Sequence, residues 1–247
     1  MFFLTTDLHI HTKLSPCASE EMTPRAITKK AQEMGLDIIA ICDHNSSRNS
    51  AAVIEAAKHC SILVIPGIEI ETRDKIHVIG LFSDVKSALK VTEEIRIKLP
   101  CVDEKYSSHF GEQILMTADG IPCGKEDKAL ANSSHFDLKE VVRLIKQHDG
   151  LAIAAHVERP SFSVYSQLGD VPLDIPFDAL EVSPVGNRPI GLREKFARYG
   201  FPLIGSSDSH YLSEIGRAKT RFLIEKPSFE EINLALHRVG GRGVSLA

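Results

Sequence analysis

The stretch "TPRAITKKAQEMGLDIIAICDHN", Thr23 to Asn45, decides the fold class. Thr23 suits a helix N-cap, because its side-chain oxygen can accept from an otherwise unpaired amide, and Pro24 fits the first helical position, where a missing N–H costs nothing. Ile27, Ala31 and Met34 recur at helical spacing and share one apolar face, and Gly35 supplies the stop. "LDIIAIC" follows at once, an apolar and β-branched run of strand length that ends in Asp43-His44. A helix feeds directly into a strand, and the strand gives out on metal-binding side chains.

The same arrangement repeats along the chain. Strand-like runs lie at Phe2–Ile10, Leu36–Cys42, Ile62–Ile70, Ile76–Phe82, Leu151–Val157, Ala179–Ser183, Phe201–Gly205 and Phe222–Ile224. Helical spacing fills Asn49–His59, Val85–Leu99, Leu138–His148, Ile190–Tyr199 and Ser228–His237. Such alternation predicts an α/β fold around a largely parallel sheet, open or closed into a barrel. One segment interrupts it: 100–132 turns polar, and "ILMTADGIPC" resembles a hairpin with Asp119-Gly120 at its turn. This is an insertion, either a cover over one end of the sheet or a surface excursion.

Composition narrows the partners. The 247 residues carry a formal net charge of −4, so no general basic field exists to hold a long nucleic-acid backbone or an anionic membrane. No apolar run approaches the roughly 20 residues that span a bilayer, and the N-terminus lacks a signal-peptide pattern; the expectation is a soluble, cytoplasmic protein. The five cysteines are an odd number, scattered and without a CxxC pair, which suits a reducing compartment and predicts mostly buried thiols. Nothing in the sequence indicates an oligomeric state.

Polar residues fall in a pattern. His9 and His11 are two apart in a strand and point to the same side, a weak signal alone in a chain with 11 histidines. Other runs end in Asp43-His44, in Glu69, in His156 and in Asp208 with His210, and His77 sits in a further apolar run. Singly, His77 reads as a core histidine, and Glu69 or Asp43 as a cap. In a parallel sheet, however, all those strand ends lie on one rim, where such folds build their sites. Six histidines and two carboxylates converging there point to metal binding. His59, His148 and His237 at helix ends, and His109 and His135 near the insertion, carry no assigned role.

The motifs "DLHIHT", "ICDHN", "GIEI" with "HVIGL", "AAHVERP" and "GSSDSH" occur in the order and at roughly the spacing of the PHP (polymerase and histidinol phosphatase) family. The resemblance runs from Asp7 to about His210. It implies a distorted seven-stranded (β/α)7 barrel, residues 1–247 as one catalytic domain, and up to three divalent ions (Zn, Fe or Mn) that hydrolyse phosphate esters. By that resemblance His9, His11, Glu69 and Asp208 are one ion's ligands, and Glu69 bridges to a second ion completed by His77 and His156. His44 and His210 hold a third. Where many relatives supply an Asp or His to the third ion this chain has Pro16 and Cys17, and a Cys17 thiolate would tilt that ion toward zinc or iron. A second departure is "HVERP", where many relatives have proline directly after the histidine.

Neutral imidazoles leave three divalent ions with an excess charge of about +3, which draws phosphate to an acidic protein. A water shared by two ions loses its proton near neutral pH and becomes the nucleophile. Asp7 and Asp43 read as acceptors that orient imidazoles, with Asp43 also a candidate for proton transfer. Arg159 could fork onto phosphate oxygens, and Asn45 could assist. The resulting expectation is a phosphatase acting on a small phosphorylated metabolite or nucleotide. Alternatives are exonuclease-like trimming of short oligonucleotides, hydrolysis of a C–N or lactone bond, and a non-catalytic metal-stabilised regulatory module.

Overall fold

The computed structural model describes residues 1–183 and 192–247. Its strands are β1 (Phe2–Ile10), β2 (Ile38–Ile41), β3 (Leu63–Glu71), β4 (His77–Leu81), β5 (Ile114–Met116), β6 (Pro122–Lys125), β7 (Leu151–Ala154), β8 (Ala179–Val182), β9 (Leu203–Gly205), β10 (Thr220–Ile224) and β11 (Gly243–Leu246). The helices are α1 (Pro24–Glu33), α2 (Ser50–Ala57), α3 (Val85–Arg96), α4 (Glu104–Phe110), α5 (Leu138–Gln147), α6 (Val164–Leu168), α7 (Leu192–Ala197) and α8 (Phe229–Leu236). The start of the predicted Ile190–Tyr199 helix lies outside the described residues.

Local sequence explains the elements. Thr23 caps α1 by accepting from the Ala26 amide, Pro24 opens the helix, and Gly35 follows it at φ 65°. Asp137 and Glu140 form a capping box on α5. On β2 the alternate residues part company: Ile39 and Ile41 pack with Ile27, Ala31 and Val53 beneath α1 and α2, while Ile38 and Ala40 join Ile65, Ile79, Ile153 and Ile204 in a separate cluster. This twofold alternation is what a sheet buried on both faces requires.

Nine strands form one sheet in the order β11-β10-β1-β2-β3-β4-β7-β8-β9. The seven from β1 to β9, with β5 and β6 set aside as a separate hairpin, make the barrel. Parallel pairing joins β1 to β2, β2 to β3, β7 to β8 and β8 to β9. Past the end of β9 the backbone pairs with β1, the His11 amide donating to the Ser209 carbonyl at 3.0 Å, which nearly closes the ring at the end where the histidines sit. At the other end β10 runs antiparallel along Phe2–Thr6 of β1, and Thr220 on it is bonded to Gly205.

Two features depart from the sequence-based expectation. The sheet is mixed rather than largely parallel, since β4 runs antiparallel to both β3 and β7 and β10 antiparallel to β1. The turn between β3 and β4 is too short for a crossover, so a hairpin is the only geometry available. Cysteines also depart: Cys42 is buried, whereas Cys17, Cys101 and Cys123 are exposed. The insertion contains α4 and the predicted hairpin, and it is tied to the barrel by the Asn49 side chain, which donates to the Ile114 carbonyl and accepts from the Met116 amide, each at 3.0 Å.

No helix among the described residues is long and apolar enough to cross a membrane.

Candidate metal centre

β1 delivers His9 and His11 fully buried, with their inner Nε2 atoms 3.1 Å apart. The β2 chain continues past Cys42 beside β3, the Glu69 amide donating to the Asp43 carbonyl and the Asn45 amide to the Glu69 carbonyl, which sets His44 next to Glu69. His77 arrives differently. It is the first residue of β4, paired in register with Glu71, and because β4 is reversed its N-terminal end reaches the rim that the parallel strands reach with their C-terminal ends.

Three sets of side chains then converge among the described residues: His9, His11, Glu69 and Asp208; His44, Glu69 and His77; and His11, His44 and His210. Asp208 Oδ1 lies 2.9 Å from His11 Nε2 and 3.3 Å from His9 Nε2. Glu69 spans the cluster, with Oε1 at 2.8 Å from His77 Nδ1 and 3.2 Å from His156 Nε2, and Oε2 at 2.9 Å from His44 Nδ1. His156 and Asp208 hold positive φ values of 30° and 50°, a backbone strain that non-glycine residues sustain where surrounding structure enforces it.

Hydrogen bonding behind the rings sets which nitrogens face the centre. His9 Nδ1 lies 3.1 Å from both oxygens of Glu181, so it is the proton-bearing nitrogen. His11 Nδ1 lies 2.9 Å from Ser15 Oγ, whose own proton goes to Asp43 Oδ1 at 2.7 Å, so this nitrogen also donates. In the neutral rings the inner nitrogens are then lone pairs, facing each other and two carboxylates. A cation resolves that arrangement, and the donor set of imidazoles and carboxylates fits a divalent transition metal. His156 Nδ1 is buried without a hydrogen-bond partner, and His77 Nε2 has only the Glu71 carboxylate nearby, at 3.6 Å.

Without a cation, the carboxylates themselves draw positive charge onto the rings. Burial opposes charge on His9, but the carboxylates of Glu181, Asp208 and Glu69 override it and hold its pKa well above that of a free imidazole. Burial and then the neighbouring His210 and His44 push His11 well below it. Glu69 and Asp208 stay far below the usual carboxylate range despite burial, because His77 and His9 face the first and His9 and His11 the second. Cys17 belongs to an exposed loop residue, yet its sulfur meets His210 and His44; desolvation resists ionisation, and these hydrogen bonds still bring the thiol down to about 6.

Other expected residues land elsewhere. Asn45 is a correction: it is fully buried at φ 49°, donates to the Leu130 and Asn132 carbonyls at 2.9 Å each, and accepts from the Glu71 amide, so it pins the insertion and has no group left for a phosphate. Asp43 is fully buried and accepts from the Thr12 amide, Thr12 Oγ1 and Ser15 Oγ; it acts on the site through Ser15, without access for proton transfer to a substrate. Asp7 binds Ser207 and the Gly216 amide instead of an imidazole. Arg159 does reach the centre, donating to Asp208 Oδ2 at 2.6 Å and to Ser183 Oγ at 2.9 Å with its side chain 37% exposed.

Glu181 went unread in the sequence. Its signal was an acid inside the apolar run "ALEVS", an unusual residue for a strand buried on both faces. Ser15 gave no such signal.

A nearly closed α/β barrel with imidazoles and carboxylates gathered at one mouth is the architecture of a metal-dependent hydrolase. The chain belongs to the PHP domain family, whose family model matches residues 7–162; a second model, described as PHP-associated, matches residues 193–238. An uncharacterised protein of Methanocaldococcus jannaschii is 28% identical over 189 residues, 72% of this chain and 81% of its own length. A 5'-3' exoribonuclease of Haemophilus influenzae is 28% identical over 179 residues, 68% of this chain and 62% of the relative. In fold, the chain is similar to the lesion-specific endonuclease Q of Pyrococcus furiosus, with TM-score 0.74 at 22% identity over 98% of this chain and 58% of that one. A protein of Bifidobacterium adolescentis, described as a candidate metal-dependent phosphoesterase, gives TM-score 0.58 at 21% identity, covering 83% and 87% of the two chains. The chain thus spans well under two thirds of the endonuclease's length.

Proposed function

We propose that this chain is a metal-dependent phosphoesterase that hydrolyses the phosphate ester of a nucleotide or other small metabolite, with the barrel and its insertion acting as one catalytic domain. The observation that carries the reading is the convergence of His9 and His11 with Glu69 and Asp208, beside a partly exposed Arg159. His9, His11, Glu69 and Asp208 would hold one ion; Glu69, His77 and His156 a second; His44, His210 and Cys17 a third. Zinc, iron and manganese all suit the imidazole set, and Cys17 favours zinc or iron at the third position. When bound, such ions supply Lewis acidity and an activated water.

The chain's own groups do the positioning. Arg159 is braced by Asp208 and Ser183, so a guanidinium is already oriented at the rim and can share a phosphate oxygen without first losing side-chain freedom. Glu181 and the Ser15–Asp43 pair fix ring tautomers, keeping nitrogen lone pairs directed inward.

A second reading, exonuclease-like cleavage of short oligonucleotides, is supported by the Haemophilus exoribonuclease at 28% identity. The net charge of −4 argues against a long duplex lying along the surface, while the relatives' action on nucleic acid argues for a substrate built of nucleotides. The test is to purify the chain with its metals, count them by elemental analysis, and assay phosphate release from phosphorylated metabolites and nucleotides and cleavage of short oligonucleotides. Metal-dependent turnover of a monoester supports the first reading, and cleavage of oligonucleotides alone supports the second. Bound ions without turnover of any substrate would replace both with a regulatory module.

A further inference from the structure

Phe162 is an odd residue to find where it is. Its backbone has φ 57°, a left-handed value that bulky residues rarely adopt, and its ring lies stacked on the His77 imidazole with centroids 4.9 Å apart and planes 28° apart. The position is over-determined: the Phe162 carbonyl accepts from the His77 amide at 2.9 Å, and the next residue, Ser163, caps α6. In spite of that anchoring, 39% of the side chain remains exposed. A large apolar ring is thereby held rigid and partly wet beside a candidate metal ligand. Rigid exposed rings are what stacking on a flat partner requires, since little side-chain entropy is lost on contact.

Apart from Phe2 and Phe3 at the start of β1, the strongly exposed aromatic side chains of the described residues are Phe110, Phe162 and Tyr211. Tyr211 follows His210. Phe110 precedes Gly111, which abuts the Pro16 carbonyl next to Cys17.

We infer that Phe162 is a stacking platform for the base of a nucleotide whose phosphate lies at the His–Glu–Asp cluster. The inference rests on the phosphoesterase reading above and narrows it: a substrate with a flat heteroaromatic ring is preferred over a sugar phosphate of the same charge. Base stacking on one aromatic side chain spans roughly one to two orders of magnitude in affinity.

The test compares adenosine 5′-monophosphate with ribose 5-phosphate on the metal-loaded full chain, in the wild type, Phe162→Leu and Phe162→Tyr. Both kcat/KM and calorimetric Kd are read, together with metal content. The expected result is an adenosine-over-ribose preference that falls about tenfold in Phe162→Leu, mainly through KM and Kd, and returns in Phe162→Tyr. An unchanged preference, whether activity drops on both substrates or on neither, overturns the proposal and leaves the ring as a brace for His77. Because Kd is measured without turnover, the binding ratio decides the role of Phe162 even where neither ligand is hydrolysed, and the phosphoesterase reading is judged separately, on the wider substrate panel above.

Discussion

Glu69 and Glu181 are both buried carboxylates within reach of His9, and they do different work. Glu69 faces inward among five imidazoles, whereas Glu181 stands behind His9 and holds its outer nitrogen. Replacing Glu181 by Gln keeps the shape and removes the charge that orients the ring. The expected outcome is a loss of about 10- to 100-fold in metal affinity, read by metal titration and elemental analysis, with the fold intact by circular dichroism. Cys17 makes a parallel case. Its sulfur already meets His44 and His210, so Cys17→Ser is expected to lose bound zinc from the purified chain while retaining the ions held by Glu69. An unchanged metal count would remove Cys17 from the centre. His9, His11, His44, Glu69, His156, Asp208 and His210 were legible as a group because each ends or follows a strand-like run. Glu181 was not, because its meaning depends on a ring 172 residues away.

Among the elements, β1, α1 and α5 match their sequence patterns almost residue for residue, since capping and periodicity are local properties. β11 was missed: "GVSL" is short and opens with glycine, so its strand character comes from pairing with β10 and not from propensity. The clasp that holds this edge is Glu231 of α8, which accepts from the Glu225 amide and from two nitrogens of Arg242, at 2.7 to 2.8 Å. The Arg242 hydrogen bonds, then the Glu225 amide, hold the Glu231 carboxyl down at about 2. A carboxyl depressed in the folded state stabilises above its unfolded pKa, and that contribution fades as pH falls from about 4.5 through about 2. Glu231→Gln is therefore expected to melt below the wild type at pH 7, with the two melting temperatures converging as the pH is lowered through that window. A constant gap across the window would show that the clasp acts through shape rather than charge.

At the scale of the whole molecule, an acidic chain places six of its 11 histidines and several of its buried acids at one mouth of the barrel. Removing bound ions leaves those groups facing one another without the cation that reconciles them. Chelation is expected to lower the melting temperature, and readdition of zinc or manganese to restore it, because a ligand held only by the folded state stabilises in proportion to the logarithm of its concentration over Kd. A melting temperature indifferent to chelator, with ions shown to have left, would mean that the cluster is not built around metal. The amino-acid sequence by itself determined the α/β alternation, the capped helices, the inserted hairpin and the chemistry of most of the rim residues, because periodicity, turn residues and ligand type are written within a few positions of one another. Only the tertiary structure decided that β4 runs backward and brings in His77 by its first residue, that Asn45 is spent on the insertion, that Asp43 lies beneath the site, and that Glu181 stands behind His9. Those outcomes depend on strand order and register, which bring together segments far apart in the chain and leave no mark in any local stretch of it.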